Sequence, residues 1–328
     1  MGEVGGCLVG IDLGGTNMQI GVVRADAASV GAGSCVLSRS KRKTRADQGR
    51  DAVLGRLAEG VEEACASAGV SLSSVIAVGI GAPGAVDHEA GVVIEAPNLR
   101  WDNVALADLL ERRLQSPVVV DNDVNVAVVG EHRLGAGVGS AHLMGVWVGT
   151  GVGGGLIFNG ALHHGAFGTA GEIGHMHALP LNQPGSRSLE HNCSRTAIID
   201  RIVRLIRSNR KSVLSELVNG DYEKVKSKTV AKAYAEGDAL TREVVDQAAE
   251  LLGIHIGGIV TLLSLDRVVL GGGLTEAMGE DLVSPVREAV RRVVFPDRAR
   301  SVEVVMTALA DDAGVIGAAM LAQDRVSG

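Results

Sequence analysis

The chain has 328 residues, of which 46% are hydrophobic and 2% aromatic, and its formal net charge at pH 7 is -7. This length allows two domains with separate cores, and so few aromatic side chains mean that Ala, Val, Leu and Ile must fill them. The acidic balance argues against a general nucleic-acid-binding protein, which needs a basic surface. The basic run at residues 41–45 (KRKTR) is the one exception, and we predict that it lies in a solvated connection between a strand and a helix.

Cysteine spacing and hydropathy indicate a soluble protein of the cytoplasm. The cysteines are scattered without paired spacing, as expected of free thiols in a reducing compartment. They are Cys7, Cys35, Cys65 and Cys193. Asp12 interrupts the only early apolar run, so no signal peptide is predicted. No segment approaches the ~20 apolar residues that a membrane-spanning helix needs, so no membrane association is predicted.

The first part of the chain predicts an antiparallel meander followed by helices and strands. Short apolar runs within residues 7–38 are separated by connections too short for crossover helices. Apolar residues then recur at helical spacing over residues 48–68. The elements predicted after this helix are a buried strand at 75–80 that runs into a Pro83–Gly84 turn, a strand at 118–120 and a helix at about 124–132.

The second part repeats the strand–loop–strand order of the first. The predicted elements are a strand at 143–148, a glycine-rich loop at 149–155, a strand at 155–158, helices within 194–263, a strand at 267–270 and a final amphipathic helix at about 312–323. Because no low-complexity tract separates the two parts, we expect two folded halves that join near residue 124.

Glycine-rich loops follow the first strand of each half. Residues 12–17 (DLGGTN) come after the apolar run 7–11, and residues 149–155 (GTGVGGG) after the run 144–148. A glycine loop at the end of a strand turns backbone N–H groups toward a ligand, which suits the phosphates of a nucleotide. The alternative for the first loop is an ordinary tight β-hairpin.

The second loop also fits the dinucleotide fingerprint G-x-G-x-x-G. That fingerprint must open a helix, whereas residues 156–158 continue as a strand, so a Rossmann fold is not expected.

An acidic segment between the two loops, Asp121-Asn122-Asp123, offers a base for the hydroxyl that receives a phosphate. Phosphoryl transfer needs a positioned hydroxyl, a nearby carboxylate and neutralised phosphate charge. On spacing alone both carboxylates are candidates. The alternative is a plain turn with a helix cap.

This order of motifs resembles the ROK family of bacterial sugar kinases, within the actin-like, ribonuclease-H-like ATPase superfamily. The resemblance covers nearly the whole chain and rests on seven motifs: DLGGTN, GAPGAVD (81–87), APNLRW (96–101), DNDVNVAVVGE (121–131), GTGVGGG, GEIGH (171–175) and VVLGGGL (268–274). It implies an α/β fold of two ribonuclease-H-like domains with a cleft between them. We predict a small domain of residues 1–123 plus the C-terminal helix at about 311–328, and a large domain of residues 124–310.

The resemblance implies that ATP is the phosphoryl donor and that Mg²⁺ accompanies it. Asp12 would hold Mg²⁺ through water, since this cation prefers carboxylate, phosphate and water oxygens. The residues implied in nucleotide binding are Asp12, Gly14, Gly15, Thr16, Asn17, Gly149, Thr150, Gly151, Gly153, Gly271, Gly272 and Gly273. For the last three, the alternative is a turn that starts a helix.

The resemblance also implies that the acceptor is a hexose and that Asp123 is the catalytic base, while Asp121 closes the strand or caps the next helix. Sugars need several paired donors and acceptors, because an unpaired polar group on either side lowers affinity. The residues implied in sugar binding are Gly84, Asn98, Asn122, Asp123, Glu172, His175 and Glu190. Glu172 and His175 are three apart, so both would face the sugar from one turn.

The segment after GEIGH departs from the family pattern, in which three cysteines and the histidine bind a structural zinc. No cysteine lies between His175 and Glu190, so that zinc site is not expected. His175, His177, His191 and Cys193 could form a replacement site, because imidazole and thiolate are suitable zinc ligands. Their spacing matches no standard zinc pattern, however, and His175 is already implied in sugar binding, so a substitute zinc site is not expected. We expect hydrogen bonds or local packing to order residues 176–190, which allows a different sugar preference.

The predicted activity is an ATP-dependent kinase that phosphorylates the 6-hydroxyl of glucose. Alternatives that keep the chemistry are kinases for N-acetylmannosamine, N-acetylglucosamine, fructose, mannose or allose. A sugar-responsive regulator would carry an N-terminal helix-turn-helix domain, for which the eleven residues before Asp12 leave no room, and a non-catalytic sugar-binding protein would not need the acidic residues of this site. The resemblance further implies a homodimer, whereas the sequence leaves the sugar and the phosphoryl donor open.

Overall fold

The computed structural model of the protein describes residues 6–327 and divides them into two units. The first unit contains residues 6–139, 160–170 and 311–327, and the second contains residues 140–159 and 171–310. This division differs from the predicted boundary at 123/124, because residues 124–139 and the segment 160–170 belong to the first unit. Residues 1–5 and 328, which the predicted small domain includes, lie outside the described residues.

The elements of residues 6–139 are β1 (Cys7–Leu13), β2 (Asn17–Arg24), α1 (Ala27–Val30), α2 (Ala32–Cys35), β3 (Val36–Lys43), α3 (Arg50–Ala68), β4 (Val75–Ala82), β5 (Ala85–Asp87), β6 (Val92–Ala96), β7 (Trp101–Val104), α4 (Leu106–Leu114), β8 (Val118–Asn122) and α5 (Asp123–Leu134). Those of the remaining chain are β9 (His142–Val148), β10 (Val152–Phe158), β11 (Ala161–Leu162), α6 (Glu190–Cys193), α7 (Arg195–Arg207), α8 (Leu214–Leu217), α9 (Ser227–Ala235), α10 (Ala239–Leu263), β12 (Arg267–Gly271), α11 (Gly273–Met278), α12 (Glu280–Val293), β13 (Glu303–Met306) and α13 (Ala313–Ser327).

The main sheet of the first unit has the strand order β3-β2-β1-β4-β8. Strands β1, β2 and β3 form the predicted antiparallel meander, while β4 runs parallel to β1 and β8 parallel to β4. The prediction of a solvated connection at 41–45 is wrong for its first three residues, which lie in β3. There Arg42 reaches across to α3 and forms ion pairs with Glu59 and Glu63.

The C-terminal helix α13 packs on this sheet through glycines. A Cβ at Gly10 of β1 would stand 1.8 Å from the carbonyl oxygen of Val315, and a Cβ at Gly79 of β4 would stand 1.8 Å from that of Ala318. A Cβ at Gly317 of α13 itself would stand 1.6 Å from the carbonyl oxygen of Val126 in α5. Only glycine permits backbones to come this close, so the helix rests directly on both strands and on α5.

A small antiparallel sheet, β5-β6-β7, and helix α4 fill residues 85–114, for which no elements were predicted. These strands have only three to five residues each, too few for alternation to stand out from loop sequence. The sheet ends near the APNLRW motif, whose residues Pro97–Leu99 form one turn of 3₁₀ helix before β7.

The sheet of the second unit contains the strands β10-β9-β12-β13 in that order. Strand β9 is antiparallel to β10 and parallel to β12, so the second unit repeats the opening topology of the first, as predicted. The predicted loop 149–155 is too long, because β10 begins at Val152 and places Gly153 in the strand opposite Trp147. Only the turn Gly149–Gly151 remains outside the strands.

Helix α10 is the one helix of residues 6–327 that is long and apolar enough to cross a membrane by composition, which the sequence analysis had not anticipated. Half of the apolar window is buried, however, and its inward residues include Val245, Leu252 and Ile256. Gly253 of this helix lies directly against the backbone of α12 at Val286. These contacts are those of a core helix.

Replacing Gly79 by valine is expected to destabilise the protein, because the new side chain would collide with the backbone of α13. Backbone cannot yield as a flexible side chain can, so we expect a loss of at least the ~1–3 kcal/mol typical of overpacked cores. The control is Gly55→Ala in α3, where an added Cβ meets nothing within 4 Å. Gly55→Ala should leave the free energy of unfolding unchanged or raise it by about 0.5–1 kcal/mol. Urea unfolding followed by circular dichroism measures both variants. Equal midpoints for Gly79→Val and wild type would contradict this packing.

Candidate active site

The first glycine-rich loop is a fixed turn between β1 and β2. The amide of Gly14 donates to the carbonyl oxygen of Asn17 (3.0 Å), and the end of β3 holds the loop from the side. There the amide of Thr44 donates to Thr16 O (2.9 Å), and the Thr44 hydroxyl donates to Gly14 O (2.6 Å). The loop is therefore a hairpin turn, and its shape is set before any ligand arrives.

Asp12, at the end of β1, is held in a partly desolvated position. A Cβ at Gly314 of α13 would stand 3.0 Å from the Asp12 carboxyl carbon, so this glycine lets the helix cover the side chain. Burial raises the pKa of Asp12 to about 6; the Asp311 carboxylate adds to the shift and Lys41 opposes it. Two carboxylates beside the first glycine-rich loop suit a divalent cation, which would relieve the cost of their charges.

No group of three or more His, Cys, Asp or Glu side chains within residues 6–327 is arranged to hold a metal ion. Mg²⁺ does not need such a cage, because it keeps several waters and takes its other ligands from phosphates. The residues present therefore fit a hydrated Mg²⁺ at Asp12.

A hollow of about 420 Å³ adjoins the first loop. Its lining residues are Gly15, Thr16, Lys43, Arg45, Ala46, Asp47, Asn98 and Arg100. Three of them are cations, and none of these forms an ion pair with another described residue of 6–327. Arg45 and Arg100 both have left-handed backbone conformations, with φ of 50° and 57°. The surroundings of the loop are therefore positive, which suits phosphate.

Asn98 lies against this loop. A Cβ at Gly15 would stand 2.9 Å from the Cβ of Asn98, so the glycine makes room for the asparagine. Asn98 itself is exposed on the 3₁₀ turn of the APNLRW motif. The structure thus brings together one predicted nucleotide residue and one predicted sugar residue.

Of the two roles expected for Asp121, closing the strand or capping the next helix, the structure shows the first, because Asp121 lies at the end of β8. The helix cap is Asn122, whose side-chain oxygen accepts from the amides of Val124 (2.8 Å) and Asn125 (3.2 Å), and not Asp121. The Asn122 amide nitrogen also donates to the carbonyl oxygen of Gly84 (3.1 Å). Because Gly84 has a φ of 90°, it exposes this carbonyl in a conformation that other residues rarely adopt.

Asp123 is the first residue of α5 and is only partly buried. The N-terminus of a helix is a favourable place for a carboxylate, because its amide groups carry partial positive charge. One Asp123 oxygen accepts from the amide of Val124 at 2.9 Å. Asp121, by contrast, is buried in β8 and its carboxylate is fully engaged in hydrogen bonds.

In the second unit, Glu190 is bound to the second glycine turn. Its carboxylate accepts from the amide of Val152 at 3.0 Å, and a Cβ at Gly151 would stand 2.2 Å from the same oxygen. The GEIGH turn packs on β10 in the same manner, since a Cβ at Gly174 would stand 2.0 Å from the carbonyl oxygen of Val152. Gly151 and Gly174 thus allow Glu190 and the GEIGH turn to pack closely on the second turn and the start of β10.

Glu172 and His175 face each other across the turn at 3.9 Å, as their spacing predicted. Burial raises the pKa of Glu172, with His175 opposing the shift. His175 is largely exposed, with 81% of its side chain open to solvent, so it is available for a ligand.

Residues 176–190 are ordered by hydrogen bonds. The amide of Leu189 donates to Met176 O (2.8 Å) and that of Leu179 to Arg187 O (3.0 Å), which closes the segment into a hairpin. The side chain of Asn192 then donates to the carbonyl oxygens of Ser186 (3.0 Å) and Ser188 (2.7 Å). These hydrogen bonds support the expectation that local contacts order residues 176–190.

Two of the alternative zinc ligands, Cys193 and His191, are otherwise engaged. Cys193 is buried and its thiol donates to the carbonyl oxygen of Ala248; burial raises the pKa of this thiol to about 12. His191 shares a hydrogen bond of 2.7 Å with Ser188. A thiol with so high a pKa is a poor zinc ligand, because zinc binds the thiolate.

The third glycine motif, Gly271–Gly273, starts helix α11. Gly272 is the N-cap residue of this helix and has a φ of 89°. A Cβ at Gly271 would stand 2.6 Å from the indole ring of Trp147. The alternative of a turn that starts a helix is therefore correct. Trp147 was not among the predicted site residues, although its place directly before the second glycine turn could have suggested it.

Sequence reasoning also missed the residues that support the second turn. Arg195, at the start of α7, donates through its amide to Gly149 O (2.9 Å) and through its guanidinium to the hydroxyl of Thr150 (2.8 Å). Thr196 donates to Thr150 O at 2.8 Å. The residue types of 190–198 (EHNCSRTAI) contain no pattern from which these hydrogen bonds to the second turn could have been predicted.

The predicted residues divide between the units. The first unit holds Asp12, Gly14, Gly15, Thr16, Asn17, Gly84, Asn98, Asn122 and Asp123, and the second holds Gly149, Thr150, Gly151, Gly153, Glu172, His175, Glu190, Gly271, Gly272 and Gly273. Each unit thus carries both a glycine turn at the end of a first strand and candidate sugar residues.

A sequence profile described as ROK family matches residues 8–325. The chain belongs to the ROK family. This ROK protein is 35% identical to a glucokinase of Thermotoga maritima over 330 residues, which cover 98% of each chain. Among solved structures, the fold is similar to the crystal structure of a ROK family glucokinase from Streptomyces griseus in complex with glucose and AMPPNP, with a TM-score of 0.82. The two sequences are 31% identical, and the match covers 97% of this chain and 100% of the Streptomyces griseus chain.

A relative of another class is a putative xylose repressor of Caldicellulosiruptor sp., 31% identical over 274 residues that cover 81% of this chain and 67% of the repressor. The family therefore includes proteins with regulatory names as well as kinases. The predicted family and the predicted α/β fold of ribonuclease-H-like type are confirmed.

The raised pKa of Asp12 predicts a pH-dependent effect of Asp12→Asn on stability. The ordinary pKa of Asp12 is 3.8 and its pKa in the folded protein is about 6. Between these two pH values the folded state binds more protons than the unfolded state, so stability falls as pH rises through this window. Asparagine mimics the protonated form. At pH 8 without Mg²⁺ the variant should therefore be more stable by up to ~3 kcal/mol, at about 1.4 kcal/mol per pKa unit, and near pH 4 the difference should vanish.

Thermal unfolding of both proteins from pH 4 to pH 8 checks this. Asp108→Asn on the exposed surface of α4 is the matched control and should show no such trend. A difference between Asp12→Asn and wild type that is the same at every pH would contradict the desolvation of Asp12.

Metal removal is expected to leave the segment 176–190 ordered. Treatment with EDTA should not lower the Tm, whereas Asn192→Ala removes two hydrogen bonds and should cost about 1–3 kcal/mol. Gln183→Ala, on the exposed part of the same segment, is the control and should behave as wild type. Metal analysis of the purified protein completes the test; one zinc per chain, with a lower Tm after its removal, would refute hydrogen bonding as the ordering device.

Proposed function

We propose that this ROK protein is an ATP-dependent glucokinase that transfers the γ-phosphoryl group of ATP to the 6-hydroxyl of glucose. The observation that carries the proposal is the end-to-end similarity to the Thermotoga maritima glucokinase at 35% identity. The prediction of a sugar kinase is confirmed by such relatives, and glucose is the acceptor named for them.

Asp123 is the proposed base. It would accept the proton of the 6-hydroxyl while that oxygen attacks the γ-phosphorus and the bond to the β-phosphate oxygen breaks. Its place at the N-terminus of α5 supports the role, since the helix fixes the backbone that carries the carboxylate. Asp121 is a poorer candidate because it is buried and its oxygens already accept three hydrogen bonds.

The proposed sugar contacts follow from hydrogen bonds that the protein leaves open. Asn122 uses its side-chain oxygen as a cap and one N–H for Gly84, so only its second N–H remains for a hydroxyl. We assign the other contacts to Gly84, Asn98, Glu172, His175 and Glu190. Glu190 keeps one carboxylate oxygen free of Val152, and His175 is exposed beside Glu172.

For the nucleotide, we assign the phosphates to the turn at Gly14–Asn17 and to the turn that contains Gly149, Thr150 and Gly151, with Gly153 behind it in β10. The cations of the 420 Å³ hollow support the first assignment, because they add positive potential beside Thr16. Gly271, Gly272 and Gly273 would approach the adenosine. Asp12 would hold a hydrated Mg²⁺, which when bound neutralises phosphate charge.

We further propose that the protein is a soluble, cytoplasmic homodimer. Its partners are the small-molecule sugar and ATP, and it binds neither nucleic acid nor membranes. A sugar-responsive regulator is the second candidate, and the putative xylose repressor among the relatives favours it. The acidic turn argues for the kinase, because Asn122 and Asp123 are positioned by a cap and by the Gly84 contact.

Asp123→Asn should abolish sugar-dependent release of ADP. We expect kcat to fall by about 10²–10⁴-fold, as for the loss of a general base, while nucleotide binding is retained. Turnover is measured with Mg-ATP against a panel of glucose, mannose, fructose, allose, N-acetylglucosamine and N-acetylmannosamine. Nucleotide binding is followed by fluorescence in a Trp101→Phe background, in which Trp147 beside Gly271 is the remaining indole.

Asp108→Asn is again the matched control and should keep full activity. If the wild-type protein turns over another sugar and not glucose, that sugar is the acceptor and the proposal of a kinase still holds. Sugar binding without turnover on any member of the panel would favour the regulator.

A further inference from the structure

A buried polar cluster that the proposed chemistry does not use surrounds Asp121. Its Oδ1 accepts from the amide of Asn122 (2.7 Å) and from the side chain of Asn125 (2.9 Å), and its Oδ2 pairs with Nε2 of His164 (2.7 Å). The Asp121 side chain is only 6% exposed and that of His164 20%. Because a carboxylate oxygen accepts, His164 is the donor. Hydrogen bonds to a buried charge are among the stronger ones in proteins.

His164 is itself held in place. Its ring stacks on that of His88, with centroids 3.5 Å apart and planes 6° from parallel. Its carbonyl oxygen accepts from the amide of Ala170 at 3.1 Å, which closes residues 164–170 into a loop. An added Cβ at Gly168 would be 3.4 Å from the carbonyl oxygen of Val86 in β5. The loop is therefore anchored to the rest of the first unit through His164, by the bond to Asp121 and the stacking on His88.

The position of Asp121 gives the cluster its importance. Asp121 immediately precedes the cap Asn122 and the proposed base Asp123, and its oxygens bind both ends of this turn, at Asn122 and Asn125. Were His164 absent, Oδ2 would be a buried carboxylate oxygen without a donor. Such an oxygen draws in water or turns its side chain, and either change releases the backbone at Asn122.

The same loop leads directly into GEIGH. Residues 160–170 belong to the first unit, and the next residue, Gly171, belongs to the second. Glu172, a proposed sugar ligand, follows Gly171 with no further anchor between. The His164–Asp121 bond thus fixes the acidic turn and also the last segment of the first unit before Glu172.

We propose that His164 is a positioning residue for phosphoryl transfer, acting through Asp121 on the turn that carries Asn122 and Asp123. The proposal rests on the proposed kinase function for its kinetic effect. Its structural part, that the His164 hydrogen bond orders residues 122–125, is independent of any activity.

Three variants separate the hydrogen bond from the ring. His164→Leu removes the donor and keeps the bulk, His164→Gln supplies an amide N–H in place of Nε2, and His88→Ala removes the stacking but keeps the bond to Asp121. We expect His164→Leu to lower kcat by about tenfold to a hundredfold, since displacement of a reacting group by ~1 Å costs on that order. The KM for ATP should stay within twofold of wild type, because the cluster contains none of the residues that we assign to the nucleotide.

His164→Gln should recover most of the loss, and His88→Ala should cost less than His164→Leu. A double-mutant cycle with Asp121→Asn decides whether His164 acts through Asp121. In that case His164→Leu should add little to the effect of Asp121→Asn alone. Additive losses, or a Gln variant as impaired as Leu, would overturn the proposal.

Hydrogen exchange of the amides of residues 122–125 provides the second readout. Exchange should be faster in His164→Leu and near wild type in His164→Gln. If wild type turns over no sugar, the proposed function fails while this measurement still decides the inference. If wild type is active but exchange and kcat are unchanged in His164→Leu, the inference fails and the kinase stands.

Discussion

Contact between the backbone of α13 and the bare strands beneath it is the constraint on which the first unit depends. Glycines at positions 10 and 79 let the helix lie on β1 and β4, and Gly317 lets it lie on α5. Through Gly314 the same helix covers Asp12 and removes it from water. One helix thus supports the strand that ends at the first turn and the helix that begins at Asp123. A side chain at any of these contacts would shift both candidate groups together.

The second unit uses glycine for the same purpose on a smaller scale. The run Gly149–Gly155 reads as a phosphate loop, yet most of it lies in β10, where Gly154 admits the GEIGH turn. Gly151, in the turn before β10, makes room for the carboxylate of Glu190. A glycine-rich motif therefore reports close packing as readily as ligand binding. The turn that remains outside the strand is held by Arg195 and Thr196 from the start of α7.

The strands and helices with strong periodicity were predictable, including the meander, the helix 48–68 and the repeated topology. Short strands such as β5 were not, because three residues carry no period. In the site, spacing alone brought Glu172 and His175 together, but it could not tell a cap from a buried acceptor at residues 121 and 122. Asp121 owes its second hydrogen-bonded oxygen to His164, which is distant in sequence and bound to Asp121 only in the folded chain. Chain packing, not local preference, decides such roles.

All four thiols lie inside the described structure, with at most 3% of any of them exposed. Burial raises the pKa of each, so none presents a reactive thiolate at neutral pH. Maleimide reagents and mild oxidants should therefore leave the native protein unmodified. A single cysteine introduced on the surface would consequently be the only point of attachment for a spin label or a fluorophore, with no need to remove the natural ones first.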